Sequence, residues 1–339
     1  MTETRSLVLP VAEVVEETSQ ACSVVFDAEL DYRPGQFLTV RIPDGDGGSV
    51  ARCYSLSSSP HTGQRPQVTV KRDGYGSNWI CDNVTSGSEL EVLPPSGVFT
   101  PSSLTSDLLL FAAGSGITPV LSIVRSVLAG GTGTIRLVYA NRDEHSVIFS
   151  GVLRELAEAH PGRLVVTHWL ESVQGLPSAE QLTALAAPHT EREVFICGPR
   201  PFMSAATTAM KSLGKPRSAV HTEKFVSLGG NPFDTGTPKR EDEPGQDSPS
   251  STLEVSLDGS RHELAWPRGN KLLDLLLDNG IDAPYSCREG QCSACACRIT
   301  SGEVKMLHND VLDSEDIADG IVLACQSLPL TDEVSISYE

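Results

Sequence analysis

Hydrophobic and polar positions fall into three patterns along the chain. Up to about residue 100 the apolar residues come in short runs rich in Val and Leu that partly alternate with polar ones: LVLPVAEVVEET, CSVVFDAEL, QFLTVRIP, RCYSL, QVTVKRD and ELEVLPP. Pro-Gly, Asp-Gly and Ser-Gly pairs lie between them. Such runs between turn pairs predict six short strands, a set that suits a small antiparallel barrel. Near Asp107 the pattern changes. Apolar runs (DLLLFAA, IRLVYAN, RLVVTHWL, EVFICG, AVHTEKF) now alternate with stretches of helical spacing (PVLSIVRSVLAG, VLRELAEAH, SAEQLTALAA, PFMSAATTAMKSLG). Five strands separated by four helices predict a parallel α/β sheet ending near Leu228.

Residues 231–251, NPFDTGTPKREDEPGQDSPSS, have almost nothing to bury and read as a linker. Strand-like LEVSL and HELAWP, helical KLLDLLLDNG and the closing GIVLACQSLPLTDEVSISYE then predict a small mixed sheet. The expected fold class is multidomain. An antiparallel β-barrel occupies 1–104, an α/β parallel-sheet nucleotide domain 105–228, a flexible linker 229–251, and an α+β, β-grasp-like domain 252–339.

A length of 339 residues agrees with several cores rather than one. The net charge of −18 argues against a nucleic-acid partner, whose phosphates repel such a surface. The first residues, MTETRSLVLPVAEVVEE, lack the basic start and long apolar run of a secretory signal. The most apolar stretch, LLLFAAGSGITPVLSIV, is broken by Gly, Ser, Thr and Pro, so no membrane span is expected. These features predict a cytoplasmic protein, where crowded cysteines more often bind metal than form disulfides.

Four of the nine cysteines crowd into YSCREGQCSACACR, residues 285–298. Cys287, Cys292 and Cys295 are spaced C-x4-C-x2-C, and Cys325 follows after 29 residues in LACQSL. This is the plant-type [2Fe–2S] spacing. Two irons and two sulfides need four thiolates. Three come from one loop whose small residues turn backbone amides toward sulfur, and Gly290 permits the tight geometry. A zinc site or a buried free-thiol cluster are the competing readings, although zinc sites usually pair two C-x2-C units. Cys297 is spare, either a packed small residue or a thiol able to replace Cys295. Cys22, Cys53 and Cys81 read as small hydrophobes.

RCYSL offers groups suited to a flavin. Arg52 can pair with a diphosphate, Tyr54 can stack on the ring, and Ser55 can hydrogen-bond near its reactive nitrogen. Downstream, Lys71 and Arg72 precede a Gly-x-x-Ser turn, Gly74 to Ser77. A helix opening at Ser77 would present free amides to phosphate. Taken alone, RCYSL is an ordinary edge strand. GSGITP, Gly114 to Pro119, joins a strand to a helix and suits a phosphate, and ICGP, Ile196 to Pro199, ends a later strand of the same sheet. Cys197, at the end of the fourth strand, could lie against the nicotinamide or be a buried core thiol, and Glu223, at the end of the fifth, could face the flavin or solvent. Asn141 to Glu144 follow the second strand, where ribose selectivity is set. Asp143 or Glu144 would favour NADH, and Arg142 would favour NADPH.

RCYSL, GSGITP, CGP and the cysteine set occur in that order. In this combination the chain resembles the ferredoxin–NAD(P)+ reductase superfamily with a plant-type ferredoxin fused at the C-terminus, over essentially everything but the linker. DGYGSNWICDNV, LPPSGVF, AAGSGITPV, YANRDEHSVIF, HWLESVQGLPS and GEVKMLHNDVL…GIVLACQSLP are similar to stretches of 3-ketosteroid 9α-hydroxylase reductase components. The domain order is also similar to phthalate dioxygenase reductase, which carries FMN. The Lys-Arg and Gly-x-x-Ser segment is instead similar to FAD-type members.

The resemblance implies an oxidoreductase that passes electrons from NADH to FAD, then to a [2Fe–2S] cluster, then to a separate terminal Rieske non-haem iron oxygenase. It implies a cofactor-binding set of Arg52, Cys53, Tyr54, Ser55, Thr69, Val70, Lys71, Gly76, Ser77 and Asn78. The nicotinamide set is Gly114, Ser115, Gly116, Ile117, Thr118, Cys197, Gly198 and Pro199. Ser55, Cys197 and Glu223 are the candidate catalytic residues, and Cys287, Cys292, Cys295 and Cys325 the metal ligands. Three alternatives remain: a reductase for phenylacetyl-CoA epoxidase or another ring-hydroxylating oxygenase, a non-catalytic electron carrier, and a zinc-stabilised C-terminal domain.

Overall fold

The computed structural model describes residues 6–45, 47–233, 250–257 and 259–338. The six predicted N-terminal strands form: β1 (Leu7–Thr18), β2 (Ala21–Phe26), β3 (Phe37–Pro43), β4 (Ser49–Ser55), β5 (Gln67–Lys71) and β6 (Glu89–Val92). They make one antiparallel sheet in the order β4-β3-β6-β1-β2-β5. Register shifts in β1 between Val11 and Glu13 and between Glu16 and Thr18 bend this long strand so that it serves both halves of the sheet. The two edges meet through a Leu56–Val68 bridge, so the sheet curls into a barrel and hides its edges. Helix α1 (Tyr75–Asn83) seals one mouth with Ile80 fully buried.

The second unit contains β7 (Leu108–Ala113), α2 (Ile117–Gly130), β8 (Ile135–Asn141), α3 (Ser150–Ala159), β9 (Leu164–Leu170), α4 (Glu171–Gln174), α5 (Ala179–Ala186), β10 (Glu193–Cys197), α6 (Arg200–Ser212) and β11 (Val220–Glu223). All five strands are parallel, in the order β11-β10-β7-β8-β9. Helices cover both faces, which is why every residue of LLLFAA in β7 is buried. The chain direction of travel reverses between β7 and β10, and a crevice opens there at the carboxyl ends of the strands.

The third unit is a mixed sheet of β12 (Ser250–Leu257), β13 (Ser260–Pro267), β14 (Ala296–Ser301), β16 (Ile321–Leu323) and β18 (Glu333–Ser337), ordered β13-β12-β18-β14-β16; a separate ribbon pairs β15 (Val304–Met306) with β17 (Ser327–Pro329). Only β12 and β18 run parallel. Helix α7 (Leu272–Asp278) lays Leu272, Leu273, Leu275 and Leu276 on the sheet, as its leucine spacing requires. A short helix α8 (Ser314–Ala318), not expected from the sequence, is set by an Asp313 capping box. Ser250 and Ser251, counted in the linker by composition, are instead the first rungs of β12. Gly229 to Phe233 also pack down. The rest of the expected linker, 234–249, lies outside the described residues.

Barrel and α/β unit are joined by buried hydroxyls: Ser122 Oγ donates to Ser58 O at 2.6 Å, and Ser59 and Ser126 Oγ lie 2.7 Å apart. The third unit touches both others. Against the α/β unit its contact is electrostatic. Arg217 pairs with Asp313 at 3.2 Å and Asp316 at 3.0 Å, Lys211 with Glu315 at 2.5 Å, and Lys224 Nζ donates to Val311 O at 2.6 Å. A cavity of about 380 Å³, lined in part by Arg217, His221, Cys297 and Tyr338, lies beside these pairs, so this contact is not close-packed.

Charge therefore holds this side. Arg217→Glu is expected to destabilise the contact by ~2–4 kcal/mol, since both partners are only partly exposed. Small-angle scattering should show a larger radius of gyration, and wild type should move the same way at about 1 M salt, where screening is nearly complete. An unchanged radius in both would mean that the third unit is seated by its contact with the barrel and not by these ion pairs.

Candidate functional site

The cysteine loop, 287–295, leaves α7 through an extended segment and turns back on itself. Arg288 (φ 58°) and Ser293 (φ 53°) occupy the left-handed region beside Gly290 (φ 80°). Gly290 is required twice over, because a Cβ there would lie 2.7 Å from His308 O. This backbone aims amides at sulfur. Glu289 N and Gln291 N donate to Cys287 Sγ at 3.4 and 3.3 Å, Cys287 N to Cys292 Sγ at 3.3 Å, and Cys325 N to Cys295 Sγ at 3.5 Å.

Cys325 arrives on a single 3₁₀ turn, Ala324–Gln326, whose Gln326 side chain donates to Arg288 O. All four sulfurs are nearly sealed from solvent. Hydrogen bonds from Cys292 and Cys325 pull the Cys287 thiol well below its ordinary range. All nine cysteines are free. Among the described residues no three or more His, Cys, Asp or Glu side chains are arranged around one metal ion. A two-iron cluster asks for two thiolates per iron, and an all-sulfur donor set with amides aimed at it fits that group.

On the barrel, Arg52 and Tyr54 face α1. A Cβ on Gly76 would lie 2.9 Å from Arg52 Cγ and 3.5 Å from Tyr54 Oη, so glycine keeps a cradle open there. The helix does not open at Ser77. It opens at Tyr75 with Gly74 (φ 92°) as N-cap, and Ser77 is its third residue, its Oγ accepting from Asp73 N at 2.7 Å. The free amides are therefore those of residues 75–77. Two expected cofactor residues are committed elsewhere. Thr69 Oγ1 bonds Ser23 and Ser57 inside the barrel, and the Val70 side chain belongs to the core. Only their backbone is left for a ligand. Asn78 is exposed and accepts weakly from Arg72.

Gly114 to Gly116 form one 3₁₀ turn directly ahead of α2. A Cβ on Gly116 would fall 2.2 Å from Cys197 O and 2.7 Å from Gly198 N. The two glycine turns are thus packed face to face across the crevice between β7 and β10. Ile117 is core, and Thr118 Oγ1 donates back to Ser115 O at 3.0 Å. Pro199 caps α6. Lys71 Nζ reaches the Gly114 turn from the barrel, 3.3 Å from where its Cβ would be. Burial, then Arg142, holds the Lys71 ammonium below its usual pKa.

The Asn141 carboxamide, buried at the end of β8, has no partner within hydrogen-bond geometry; Tyr139 Oη turns instead to Gly114 O at 3.1 Å. An unpartnered buried amide on the strand next to the Gly114 turn, with Arg142 following it in the chain, fits a dinucleotide. Asp143 is partly used, its carboxylate capping the turn at Ser146.

Cys197 and Glu223 are register partners on β10 and β11. Burial pushes the Glu223 carboxyl up to about 8. Its folded pKa exceeds the unfolded value, so the stability it contributes is full below about pH 4.5 and is lost as pH rises through about 8. Glu223→Gln is therefore expected to flatten the fall in melting temperature between about pH 5 and 8 relative to wild type. Parallel curves would show that Glu223 is not held neutral.

The structure also gathers groups the sequence left apart. Phe37, Cys53, Ser55, Glu223 and Cys292 share the wall of one cavity of about 30 Å³. Ser96 Oγ donates to Tyr285 O at 3.2 Å, and Gly230 N donates to Glu289 at 2.6 Å. Thr39 Oγ1 meets Ser286 Oγ across the same contact, and no local signal marks Phe37, Thr39 or Ser286, since this contact joins residues distant in sequence. Candidate flavin strand, candidate hydride site and cysteine loop thus converge on one place.

Three family models match this arrangement. An oxidoreductase FAD-binding domain matches residues 18–100, an oxidoreductase NAD-binding domain 110–208, and a 2Fe-2S iron-sulfur cluster binding domain 255–330. The chain is 56% identical to the ferredoxin reductase component of 3-ketosteroid-9-alpha-monooxygenase from Rhodococcus rhodochrous, over 98% of this chain and 97% of that one. The chain belongs to this family of reductase components.

It is 33% identical to a component of 1,2-phenylacetyl-CoA epoxidase from Escherichia coli K12, over 98% and 97% of the two chains. The solved structure of phthalate dioxygenase reductase shares the fold, with a TM-score of 0.60 at 24% identity and 98% coverage of each chain. The chain is an oxidoreductase built from a flavin barrel, a nucleotide sheet and an iron–sulfur domain. Among the described residues no helix is long and apolar enough to cross a membrane.

Proposed function

We propose that this oxidoreductase takes electrons from NADH through FAD and a [2Fe–2S] cluster to a separate terminal Rieske oxygenase in the cytoplasm, the partner being a 3-ketosteroid 9α-hydroxylase. The observation that carries it is the shared cavity wall of Ser55, Glu223, Cys53 and Cys292, which sets the flavin strand against the cysteine loop. When bound, flavin accepts two electrons together and releases them singly, and the cluster takes one at a time.

The chain's own residues do the rest. Lys71, Arg52 and the amides of 75–77 supply positive charge for phosphates. Gly116 and Gly198 let the nicotinamide nucleotide approach the backbone over the carboxyl ends of β7 and β10, with Cys197 beneath it. Glu223 is a neutral acid able to hold a proton beside Ser55. Arg52, Tyr54 and Ser55 fix the ring, while Cys287, Cys292, Cys295 and Cys325 hold the irons. Glu144, exposed and only loosely paired with His145 at 3.7 Å, follows β8 where the ribose would lie, which favours NADH over NADPH. The 56% identity to a steroid-oxygenase component, against 33% to the epoxidase component, supports the partner.

Anaerobic NADH titration of the purified brown protein tests the pathway: flavin and cluster bands should both bleach. Reconstitution with each oxygenase tests the partner. Turnover with the epoxidase and none with the steroid oxygenase would overturn that assignment.

A further inference from the structure

Three side chains meet where the barrel touches the cysteine loop. Thr39 Oγ1 on β3 lies 2.5 Å from Ser286 Oγ and 3.5 Å from Cys53 Sγ, and Cys53 Sγ lies 4.0 Å from Ser286 Oγ. Thr39 and Cys53 are register partners on β3 and β4. Thr39 and Ser286 are each 1% exposed. Around them Phe37, Ala51, Cys287, Cys292 and Ala294 form one apolar cluster, with Cys53 packed against it. The chain order gives the joint its meaning: Cys53 directly precedes Tyr54 and Ser55, and Ser286 directly precedes Cys287.

Neither fold needs this contact. The barrel closes through Leu56 and Val68, and the third sheet closes through its own pairing. A surface serving adhesion alone would bury apolar groups here. Burying two hydroxyls costs desolvation and returns little net energy. What a short buried hydrogen bond returns is position, because it fixes direction and distance together.

We propose that Thr39, Ser286 and Cys53 are positioning residues for electron transfer, holding the Cys287 end of the cluster loop in bonded contact with the strand that carries Tyr54 and Ser55. The inference rests on the proposed function. One electron crosses per event, flavin being oxidised and cluster reduced. No covalent bond forms between the units, two crossings would use the electron pair of one NADH, and the single net proton released per NADH goes to solvent.

The test uses the holoprotein with Ser286→Ala, Thr39→Val and the double variant. The double variant leaves no hydroxyl unpaired and guards against a folding artefact. Stopped-flow mixing with NADH reads flavin bleaching, and freeze-quenched electron paramagnetic resonance reads cluster reduction. Flavin bleaching is expected within about twofold of wild type and cluster reduction slowed about tenfold or more in each variant. Peptide-mapped alkylation of Cys53 by N-ethylmaleimide should speed up about fivefold or more as the joint loosens. Iron content should be unchanged.

Cluster reduction at the wild-type rate in the double variant would overturn the proposal, as would equal slowing of both steps. If NADH bleaches no flavin in wild type, the proposed function fails instead. The alkylation arm then still decides whether the joint exists.

Discussion

Cys325→Ser is expected to yield a yellow protein that still reduces ferricyanide from NADH but has lost its iron, acid-labile sulfide and reductase activity toward the oxygenase. Cys325 is the one candidate ligand outside the loop, brought in by a single turn and 2% exposed. Its amide also donates to Cys295 Sγ, so the residue serves two of the four sulfurs. A serine hydroxyl is a harder, more basic ligand and does not replace a buried thiolate.

Flavin and nucleotide sites lie on other units and should be untouched. The expected pattern is ferricyanide activity within about twofold of wild type and oxygenase-coupled turnover at least ~100-fold lower. Cys297→Ser is the matched control. Cys297 lies on β14, opposite Val322, and lines the cavity beside Tyr338 rather than joining the amide-bonded sulfurs. That variant should keep its cluster. A cluster lost in Cys297→Ser and retained in Cys325→Ser would reassign the fourth ligand.

Sequence reveals most where the determining residues are close together or repeat with a period. C-x4-C-x2-C could be read because three candidate ligands share one loop and glycine marks its tightest point. The α/β unit could be read because buried parallel strands are continuous apolar runs while their helices keep a longer period. GSGITP and ICGP gave the two walls of the crevice, since each lies at a strand end.

The start of α1 was misplaced because its N-cap is glycine, which carries no side-chain capping signal. Thr69 and Val70 belong to a motif-bearing strand, yet the barrel's closure takes their side chains inward. Composition assigned Ser250 and Ser251 to a linker, and strand pairing with β13 overrode it. The docking of the third unit was unreadable for a physical reason. Thr39 and Ser286 are 247 residues apart, and Arg217 meets α8 across nearly 100. No local period records such pairings.

Gly116→Ala should do more damage than any other single methyl in the nucleotide site. The backbone there is ordinary right-handed helical (φ −60°), so the objection to a side chain is not conformational. It is contact. The added Cβ would lie 2.2 Å from Cys197 O and 2.4 Å from Cys197 C, atoms of a central strand that cannot rotate away. The start of α2 must then withdraw from β10, and the crevice changes shape where the nucleotide would enter. Overpacking of this kind costs about 1–3 kcal/mol, and rigid backbone neighbours place it at the upper end.

Misplacement by about 1 Å can cost about 100-fold, so the KM for NADH should rise by at least ~30-fold. Gly114→Ala offers a graded comparison. Its φ of 52° disfavours alanine by about 1 kcal/mol, but the nearest atom is the flexible end of Lys71 at 3.3 Å. Ser115→Ala should be nearly silent, because that hydroxyl makes no hydrogen bond that shapes the turn and only its carbonyl receives Thr118. Melting temperature and NADH KM measured together should rank the three as Gly116, Gly114, Ser115. A Gly116→Ala protein that melts and binds NADH like wild type would show that β7 and β10 do not approach as closely as the two glycine turns require.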